Sequence, residues 1–266
     1  MSLKRYALLG EHLGHSLSVQ VHEALFRRMG LCAEYRLEEL PRDGFAQRAA
    51  ALLAGLDGAN VTIPYKVEVM PLLSSLSPQA EAVGAVNTIV PAPGGLKGYN
   101  TDVAGFEAML RGAGISPTGK ACYILGTGGA SLAVAAALRE MGALSVTRVS
   151  RQPRGGDISY DQLDSCFTGL LVNTTPAGMK HFPADCPLTD AQLESLLPRA
   201  TAVADVIYHP RETKLLMAAK RYGLPCCDGL TMLVAQALSA EELWQNQKLP
   251  PEWVGEIVSE IEVLLS

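Results

Sequence analysis

The sequence predicts an α/β fold divided into two domains. Short runs of apolar and β-branched residues alternate with longer segments of helical pattern, which is typical of βαβ units that build a parallel sheet. A break rich in proline and glycine near the middle of the chain separates two series of such units. The length of 266 residues, 48% of them hydrophobic, is sufficient for one or two domains whose cores need no disulfide or metal.

The first third of the chain is predicted to contain five strands and three helices. Gly30 ends the first helix because glycine readily adopts the left-handed conformation of a C-cap, and Pro64 favours the start of the third. The predicted strands are Tyr6–Gly10, Ala33–Leu37, Gly58–Ile63 and a hairpin of Ala85–Val90 with Leu96–Tyr99. The predicted helices are Ser18–Gly30, Asp43–Gly55 and Tyr65–Leu73.

The second series follows a predicted helix at Val103–Gly112 and the break at Gly114–Lys120. Residues 231–265 are predicted to be helical, with a break at Leu249–Pro251. We therefore expect residues 1–102 to form the first domain, completed by C-terminal helices of residues 231–266, and residues 103–230 to form the second. The predicted strands of the second domain are Ala121–Leu125, Ser145–Ser150, Gly169–Asn173, Thr201–Ile207 and Leu224–Cys227.

A glycine-rich string, G-T-G-G-A-S at Gly126–Ser131, lies between a predicted strand and a predicted helix. In that setting glycines let the backbone turn tightly and approach a pyrophosphate, whose charge faces the N–H groups of a helix N-terminus. Ser131 stands where the pattern has a third glycine or alanine, and an ordinary strand-to-helix turn is the alternative. We interpret the second domain as a Rossmann-like, doubly wound dinucleotide-binding domain. Its candidate cofactor residues are Gly126, Gly128, Gly129 and Ala130.

The next predicted strand ends in a basic loop. An NAD-binding domain carries an acidic residue about 20 positions beyond the glycines, where it accepts hydrogen bonds from ribose hydroxyls. Here Arg151 and Arg154 occupy that region, and Asp157 lies beyond them. Two guanidinium groups bind a 2′-phosphate with forked hydrogen bonds, whereas a carboxylate repels it. The sequence therefore predicts NADP as the cofactor, with a solvated arginine pair as the alternative.

Composition excludes several other classes of protein. The net charge of −5, without a block of lysines or arginines, argues against a nucleic-acid partner. No apolar stretch approaches the length of a membrane span, and the start resembles no signal peptide. Because none of the six cysteines has C-x-x-C spacing, we expect buried, reduced thiols in a cytoplasmic protein. His22, His181 and His209 lack metal-ligand spacing, so we predict no metal.

Four polar strings interrupt the apolar elements of the first domain near predicted strand ends. In open α/β sheets, ligands bind beyond the carboxyl ends of the strands, and hydroxyls, amides, a lysine and an aspartate suit a small polyhydroxylated substrate. Each string has another interpretation, because serines and aspartates cap helices and asparagines form turns. The strings are His15–Ser18, Asn60–Lys66, Gly84–Thr88 and Gly98–Asp102.

These strings resemble motifs of the shikimate dehydrogenase family. The resemblance rests on eight strings in the family's order, which extend from residue 15 to residue 236 and so cover nearly the whole chain. The strings are H-S-L-S, N-V-T-I-P-Y-K, G-A-V-N-T, N-T-D-V-A-G-F, G-T-G-G-A-S, N-T-T-P-A-G-M, D-V-I-Y-H-P-R-E-T and G-L-T-M-L-V-A-Q.

The resemblance implies NADP-dependent, reversible reduction of 3-dehydroshikimate to shikimate, a step of chorismate and aromatic amino acid biosynthesis. It implies that Lys66 and Asp102 are the catalytic pair at the reacting C3 oxygen. The residues implied to bind substrate are Ser16, Ser18, Thr62, Asn87, Thr101, Tyr208 and Gln236. Those implied to bind cofactor are Gly126, Gly128, Gly129, Ala130, Arg151 and Arg154, with Thr175, Gly229 and Met232 near the nicotinamide.

Two alternatives stay open at this point. A quinate or aminoshikimate dehydrogenase of the same family differs by one or two contacts in the substrate pocket. A non-catalytic, NADP-binding regulatory protein is the second alternative, although it would be expected to lack the Lys66 and Asp102 pair. The departures from the family pattern are Val19, Glu23, Ser150, and Glu11 with His12 near the expected carboxylate pocket. The chain is predicted to be a monomer or a homodimer.

Overall fold

The computed structural model describes residues 3–14, 16–163, 168–180 and 182–265. It confirms the α/β class, because the chain divides into two units that each contain a six-stranded sheet. One unit comprises Met1–Asp102 and Val234–Ser266, and the other comprises Val103–Leu233. His15, Cys166 and His181, which figure in the sequence interpretation, lie outside the described residues.

The strands are β1 (Lys4–Gly10), β2 (Ala33–Glu39), β3 (Gly58–Val61), β4 (Ser75–Leu76), β5 (Thr88–Ala92), β6 (Gly95–Tyr99), β7 (Ala121–Leu125), β8 (Ser145–Ser150), β9 (Ile158–Ser159), β10 (Gly169–Asn173), β11 (Ala200–Asp205) and β12 (Cys226–Cys227). The helices are α1 (Ser18–Met29), α2 (Phe45–Leu53), α3 (Pro78–Val83), α4 (Asp102–Gly112), α5 (Gly129–Glu140), α6 (Asp190–Leu196), α7 (Lys214–Arg221), α8 (Leu230–Gln245) and α9 (Trp253–Leu265).

The sheet of the first unit is mixed, with the strand order β2-β1-β3-β5-β6-β4. β1 is parallel to β2 and β3, whereas β5 is antiparallel to β3 and β6. The carboxyl ends of β1 and β3 therefore lie at the same edge of the sheet as the start of β5 and the end of β6. Most of the polar strings singled out in the first domain fall at this edge.

The C-terminal helices complete the first unit. Arg28 of α1 donates to Glu260 of α9 at 3.1 Å. The indole of Trp244, in α8, stacks on Tyr6 with 4.5 Å between ring centroids, and its Nε1 donates to the carbonyl of Ile89 at 2.9 Å. These contacts place the last two helices against α1, β1 and β5, as the sequence predicts for its C-terminal helices.

His22 belongs to the core of this unit. Its Nδ1 lies 2.7 Å from Oε1 of Glu241 in α8, and neither side chain is exposed. The imidazole also stacks on the ring of Tyr35, with centroids 4.0 Å apart. His22 thus has a core position and a buried polar contact that links the first helix to the eighth.

The sheet of the second unit is parallel throughout, with the order β12-β11-β10-β7-β8-β9. The chain moves outward from β7 to β9 and then returns to β10, beside β7. Counted from β7, this is the order of a Rossmann domain, and the reversal between β7 and β10 is the switch point where such sheets bind ligands. The prediction of a Rossmann-like, doubly wound domain is confirmed.

The helix predicted at Tyr65–Leu73 is wrong. The segment consists of turns, followed by a 3-10 helix at Met70–Leu72. An α-helix would need the Lys66 carbonyl to accept from the N–H of Met70. Instead that carbonyl accepts from the N–H of Val86 at 2.8 Å, and Met70 donates to Val67 at 3.2 Å. A distant partner therefore replaces the local helical bond.

Two short elements were not predicted, and one boundary differs. α3 has six residues, too few for a helical period to show, and Ser77 caps it by accepting from the N–H of Ala80 at 3.1 Å. β4 has only two residues. The second boundary between the units follows Leu233, inside α8, whereas the sequence predicts it after residue 230.

The described cysteines are free thiols, and they differ in burial. Cys122 is buried, and burial raises the pKa of its thiol to about 11. Cys32 is exposed, so the expectation of a buried thiol is wrong there. Among the described helices, none combines the length and apolar character needed to span a membrane.

Candidate functional site

Lys66 and Asp102 form a nearly buried ion pair in the first unit. Nζ of Lys66 lies 2.5 Å from Oδ2 of Asp102, and 11% and 7% of the two side chains are exposed. Asp102 begins α4, and its N–H donates to Oδ1 of Asn100 at 3.1 Å, which fixes the start of that helix. A buried charge pair of this kind is stable only where further hydrogen bonds satisfy its remaining lone pairs.

Asn87 supplies such a bond. Its Nδ2 donates to Oδ1 of Asp102 at 2.9 Å and to Oγ1 of Thr101 at 3.0 Å, and Oε1 of Gln236 lies 3.4 Å from the same nitrogen. Its Oδ1 accepts from the N–H of Thr101 at 2.7 Å. The structure therefore joins Lys66, Asn87, Thr101 and Asp102 in one hydrogen-bonded cluster, which we call the lysine cluster, with Gln236 at its margin.

Asn60 and Thr88 support the lysine cluster, and neither was among the predicted site residues. Nδ2 of Asn60 donates to the carbonyl of Asn87 and to Oγ1 of Thr88, each at 3.1 Å. Tyr35 donates to Oδ1 of Asn60 at 2.8 Å, and burial raises the pKa of Tyr35 well above its usual value. The sequence did contain a signal for Asn60: it is a polar residue inside β3, a short strand that is buried at every position.

Ser16, Ser18 and Thr62 lie at the carboxyl ends of β1 and β3. Oγ of Ser16 donates to Oγ of Ser18 at 3.0 Å, and the N–H of Thr62 donates to the carbonyl of Leu9 at 2.9 Å. Within the described chain, the hydrogen bonds of these three residues do not reach the lysine cluster. The structure thus places them at the same edge of the sheet without bonding them to Lys66 or Asn87.

Glu11, one of the departures from the family pattern, forms an ion pair. Both of its carboxylate oxygens lie 3.2 Å from Nε of Arg42. Arg42 thereby offsets the negative charge of Glu11 at the edge where Ser16 and Ser18 lie. His12 is exposed in the same loop.

The glycine-rich turn of the second unit has the geometry of an anion-binding site. Gly126 has φ +107°, a conformation that L side chains rarely adopt. Gly128 is the N-cap of α5 in extended conformation, and a β-carbon there would meet no atom within 4 Å. Gly129 and Ala130 are the first residues of α5, where N–H groups lack helical partners. Ser131 is buried, and its Oγ donates to the carbonyl of Gly128 at 2.7 Å.

Thr175 lies in the turn after β10, against the glycine-rich turn. A β-carbon on Gly126 would come within 2.9 Å of both Oγ1 of Thr174 and Cγ2 of Thr175. Thr174 also donates its N–H to the carbonyl of Leu125 at 2.9 Å. The turns that follow β7 and β10 are therefore in contact at the switch point of the sheet.

Arg151 and Arg154 are exposed in the loop after β8. Asp157, the nearest downstream acid, accepts instead from Arg148 at 2.9 Å. In the ranges that the structure covers, neither Arg151 nor Arg154 forms an ion pair. Asp157 contacts this loop only through Oδ2, which accepts from the backbone N–H of Arg154 at 3.4 Å, and the side chains of both arginines are exposed.

Tyr208, Gly229 and Met232 lie near the carboxyl ends of β11 and β12. Tyr208 is half-buried, and Met232 is buried in the first turn of α8. The N–H of Gly229 donates to the carbonyl of Ile207 at 2.9 Å, which links the turns after the two strands. No group of three metal-ligating side chains occurs among the residues described by the structure.

The chain matches a family model and curated relatives. Residues 8–89 match the model described as the shikimate dehydrogenase substrate binding domain. A shikimate dehydrogenase (NADP(+)) of Clostridium beijerinckii is 36% identical over 254 residues, covering 92% of this chain and 93% of the relative. One from Symbiobacterium thermophilum is 37% identical over 265 residues, covering 91% and 89%.

Solved structures share the fold. A chorismate mutase/shikimate 5-dehydrogenase fusion protein from Clostridium acetobutylicum has a TM-score of 0.91 and 34% identity, covering 100% of this chain and 99% of the other. Shikimate 5-dehydrogenase of Thermus thermophilus, in complex with NADP(H) and shikimate, has a TM-score of 0.83 and 32% identity, covering 97% and 99%.

Proposed function

Because the chain belongs to the shikimate dehydrogenase family, we propose that it catalyses the reversible, NADP-dependent reduction of 3-dehydroshikimate to shikimate. The observation that carries this proposal is the nearly buried pair of Lys66 and Asp102, held by Asn87. Reduction of a ketone needs a proton for the developing alkoxide, and a positioned ammonium can supply it. A protein that only sensed NADP would have no need of this pair.

In the proposed mechanism, Lys66 gives its proton to the C3 oxygen during reduction and takes it back during oxidation. Asp102 accepts from the same hydroxyl of shikimate and holds the ammonium in place through Oδ2. Asn87 fixes Asp102 through Oδ1, so the carboxylate cannot rotate freely between its partners. Because the pair is nearly buried, little water competes with the substrate for the ammonium donor of Lys66 or the carboxylate acceptor of Asp102.

The second unit fits NADP. The open position beside Gly128, the free N–H groups at the start of α5 and the two exposed arginines suit a pyrophosphate and a 2′-phosphate. When bound, the cofactor would supply a hydride to C3 as NADPH in reduction, or accept it as NADP⁺ in oxidation. The residues proposed to hold it are Gly126, Gly128, Gly129, Ala130, Arg151 and Arg154, with Thr175, Gly229 and Met232 at the nicotinamide end.

Substrate binding is assigned by the same proposal to the edge of the first sheet. Hydroxyls of Ser16 and Ser18 would bind the substrate carboxylate, and the ion pair of Glu11 with Arg42 reduces the repulsion that a bare acid would exert there. The remaining ring contacts are proposed for Thr62, Asn87, Thr101, Tyr208 and Gln236. In these terms the first unit is the substrate domain and the second the cofactor domain, in a cytoplasmic enzyme of aromatic amino acid biosynthesis without a nucleic-acid partner.

Steady-state rates with shikimate and quinate, each with NADP⁺ and NAD⁺, test this proposal. We expect shikimate with NADP⁺ to give a kcat/KM at least about tenfold above any other pairing, because loss of the 2′-phosphate contact, or burial of quinate's additional hydroxyl without a partner, costs about 1.4 kcal/mol or more. Equal or greater turnover of quinate with NAD⁺ would contradict the assignment of substrate and cofactor.

A further inference from the structure

Asp205 is a buried carboxyl group that the proposed mechanism does not use. It ends β11 in register with Asn173, the last residue of β10, and neither side chain is exposed. Nδ2 of Asn173 donates to Oδ1 of Asp205 at 3.0 Å. In the described chain no cation pairs with Asp205, and burial, with a smaller contribution from Asp228, raises its pKa to about 7. Such a group is costly to bury, so its position calls for an explanation.

Asp205 is the nearer of two acceptors that orient the Asn173 amide; the other is the carbonyl of Ala177, which accepts from Nδ2 at 3.3 Å. Oδ1 of Asp205 accepts a hydrogen bond, so the NH₂ group of Asn173 must point toward it. Oδ1 of Asn173 is then directed at Thr175, from which it accepts the N–H at 2.9 Å and the hydroxyl at 2.8 Å. A reversed amide would set oxygen against oxygen at Asp205 and an NH₂ group against an N–H donor at Thr175.

This orientation persists when Asp205 titrates. Oδ2 of Asp205 accepts from the hydroxyl of Thr213 at 2.8 Å. A proton on Oδ2 reverses that one bond, because a hydroxyl can also accept, and it leaves Oδ1 an acceptor. The titratable groups whose charges couple to Asp205 are Asp228, Cys186 and Cys227, and Arg211 pairs with Asp228 at 2.8 Å.

Asp205 also holds a second turn of the candidate site. The N–H of Ile207 donates to Oδ1 of Asp205 at 3.1 Å, and the carbonyl of Ile207 accepts from the N–H of Gly229 at 2.9 Å. One oxygen atom thus fixes the turn of Thr175, which packs on Gly126, and the turn of Ile207, which leads to Tyr208.

We propose that Asp205 is a positioning residue for the cofactor: through Asn173 it sets the Thr175 turn against the glycine-rich turn, and so determines the affinity for NADP. This inference rests on the proposed function. Asp205 itself touches no ligand, because it is fully buried. Substitution of Asp205 should therefore change NADP⁺ binding indirectly, through Asn173, and the conservative Asp205→Asn variant should preserve that binding.

The test is calorimetric titration of NADP⁺ into Asp205→Ala, Asp205→Asn and Thr213→Val without shikimate, with thermal unfolding of each variant. We expect Asp205→Ala to weaken NADP⁺ binding about tenfold or more, since the Asn173 amide then keeps only its 3.3 Å bond to the carbonyl of Ala177, the N–H of Ile207 loses its acceptor, and both turns can adopt other arrangements. Asp205→Asn should bind within about threefold of the parent protein, because its oxygen can replace Oδ1. Thr213→Val should lose stability but keep its affinity.

Different outcomes separate the two proposals. If the parent protein does not bind NADP⁺, the proposed function fails. If it binds and Asp205→Ala binds equally well, or if Thr213→Val weakens binding as much as Asp205→Ala does, the positioning role of Asp205 is refuted. Asn173→Ser should weaken NADP⁺ binding as Asp205→Ala does. The test therefore does not depend on the folding of a single variant.

Discussion

Asn87 binds the carboxylate oxygen of Asp102 that Lys66 does not contact. Nδ2 of Asn87 lies 2.9 Å from Oδ1, and Nζ of Lys66 lies 2.5 Å from Oδ2. Each oxygen therefore has its own donor, and the carboxylate is restrained at both ends. Removal of either donor leaves the nearly buried carboxylate of Asp102 with one oxygen that has lost this donor. Substitutions in the lysine cluster should therefore affect both catalysis and stability.

Lys66→Met should reduce kcat by about 10²-fold or more, because a positioned acid or base typically contributes 10²- to 10⁴-fold. Steady-state kinetics with shikimate and NADP⁺ measure this. NADP⁺ binding by calorimetry should be unchanged, since Lys66 lies in the first unit and the candidate cofactor residues in the second. A kcat within threefold of the parent protein would remove Lys66 from the mechanism.

Arg151→Ala and Arg154→Ala should each raise the KM for NADP⁺ about tenfold and leave the weaker reaction with NAD⁺ unaffected, because NAD⁺ has no 2′-phosphate. Arg221→Ala is the matched control, since Arg221 is an exposed arginine at the end of α7. If the KM values for NADP⁺ and NAD⁺ rose equally, the two arginines would have no role in distinguishing the two cofactors by the 2′-phosphate.

Asp205 should make the stability of the protein depend on pH. Its folded pKa of about 7 lies above the unfolded value of about 3.9, so between these values the folded state holds more protons than the unfolded state. The contribution to the free energy of unfolding is therefore fully present below pH 4 and decreases as pH rises to 7, by about 4 kcal/mol at most.

Urea denaturation of the parent protein and Asp205→Asn at pH 4.5, 5.5, 6.5 and 7.5 checks this. The difference between the two free energies should shift in favour of the variant as pH rises, because the amide does not titrate. A difference that is constant over this range would show that Asp205 is ionised at every pH used.

Gly58→Ala should destabilise the protein by about 1–3 kcal/mol, as overpacking of a core does. A β-carbon on Gly58 would overlap Nε1 of Trp244, whose ring is held by its stacking on Tyr6. Gly112→Ala is the control, because a β-carbon there meets nothing within 4 Å and the residue ends α4. Equal stability of the two variants would mean that the indole moves aside freely.

The longer elements could be predicted from sequence because their patterns are local. β7, for example, was placed with its bounds unchanged, and α5 begins within the glycine-rich string that predicted a helix start. The segment after β3 could not be predicted, because the carbonyl of Lys66 accepts from Val86, a partner twenty positions away that no local pattern includes. The geometry of long-range hydrogen bonds decides such segments.

The residues of the candidate site also fall into those that the sequence predicted and those that only the fold reveals. Resemblance to family motifs named Lys66, Asn87 and Asp102, which the fold brings into one cluster. Asn60 and Thr88 were missed because polar residues near strand ends are more often interpreted as turn formers, and only the fold shows that both are buried behind Asn87. Asp205 was part of a recognised string, yet its burial and its bond to Asn173 depend on the register of β10 with β11.

The dependence of the first unit on Trp244 and on α9 affects the order in which the two units can fold during translation. The second unit is a continuous segment, whereas the first is made from both ends of the chain. During translation, residues 103–233 can fold as soon as they leave the ribosome, while β1 and Gly58 wait for an indole that is synthesised only after the whole second unit. Until then, the face of the first sheet that Trp244 covers is exposed, and the nascent chain depends on the pace of synthesis or on a chaperone to protect it.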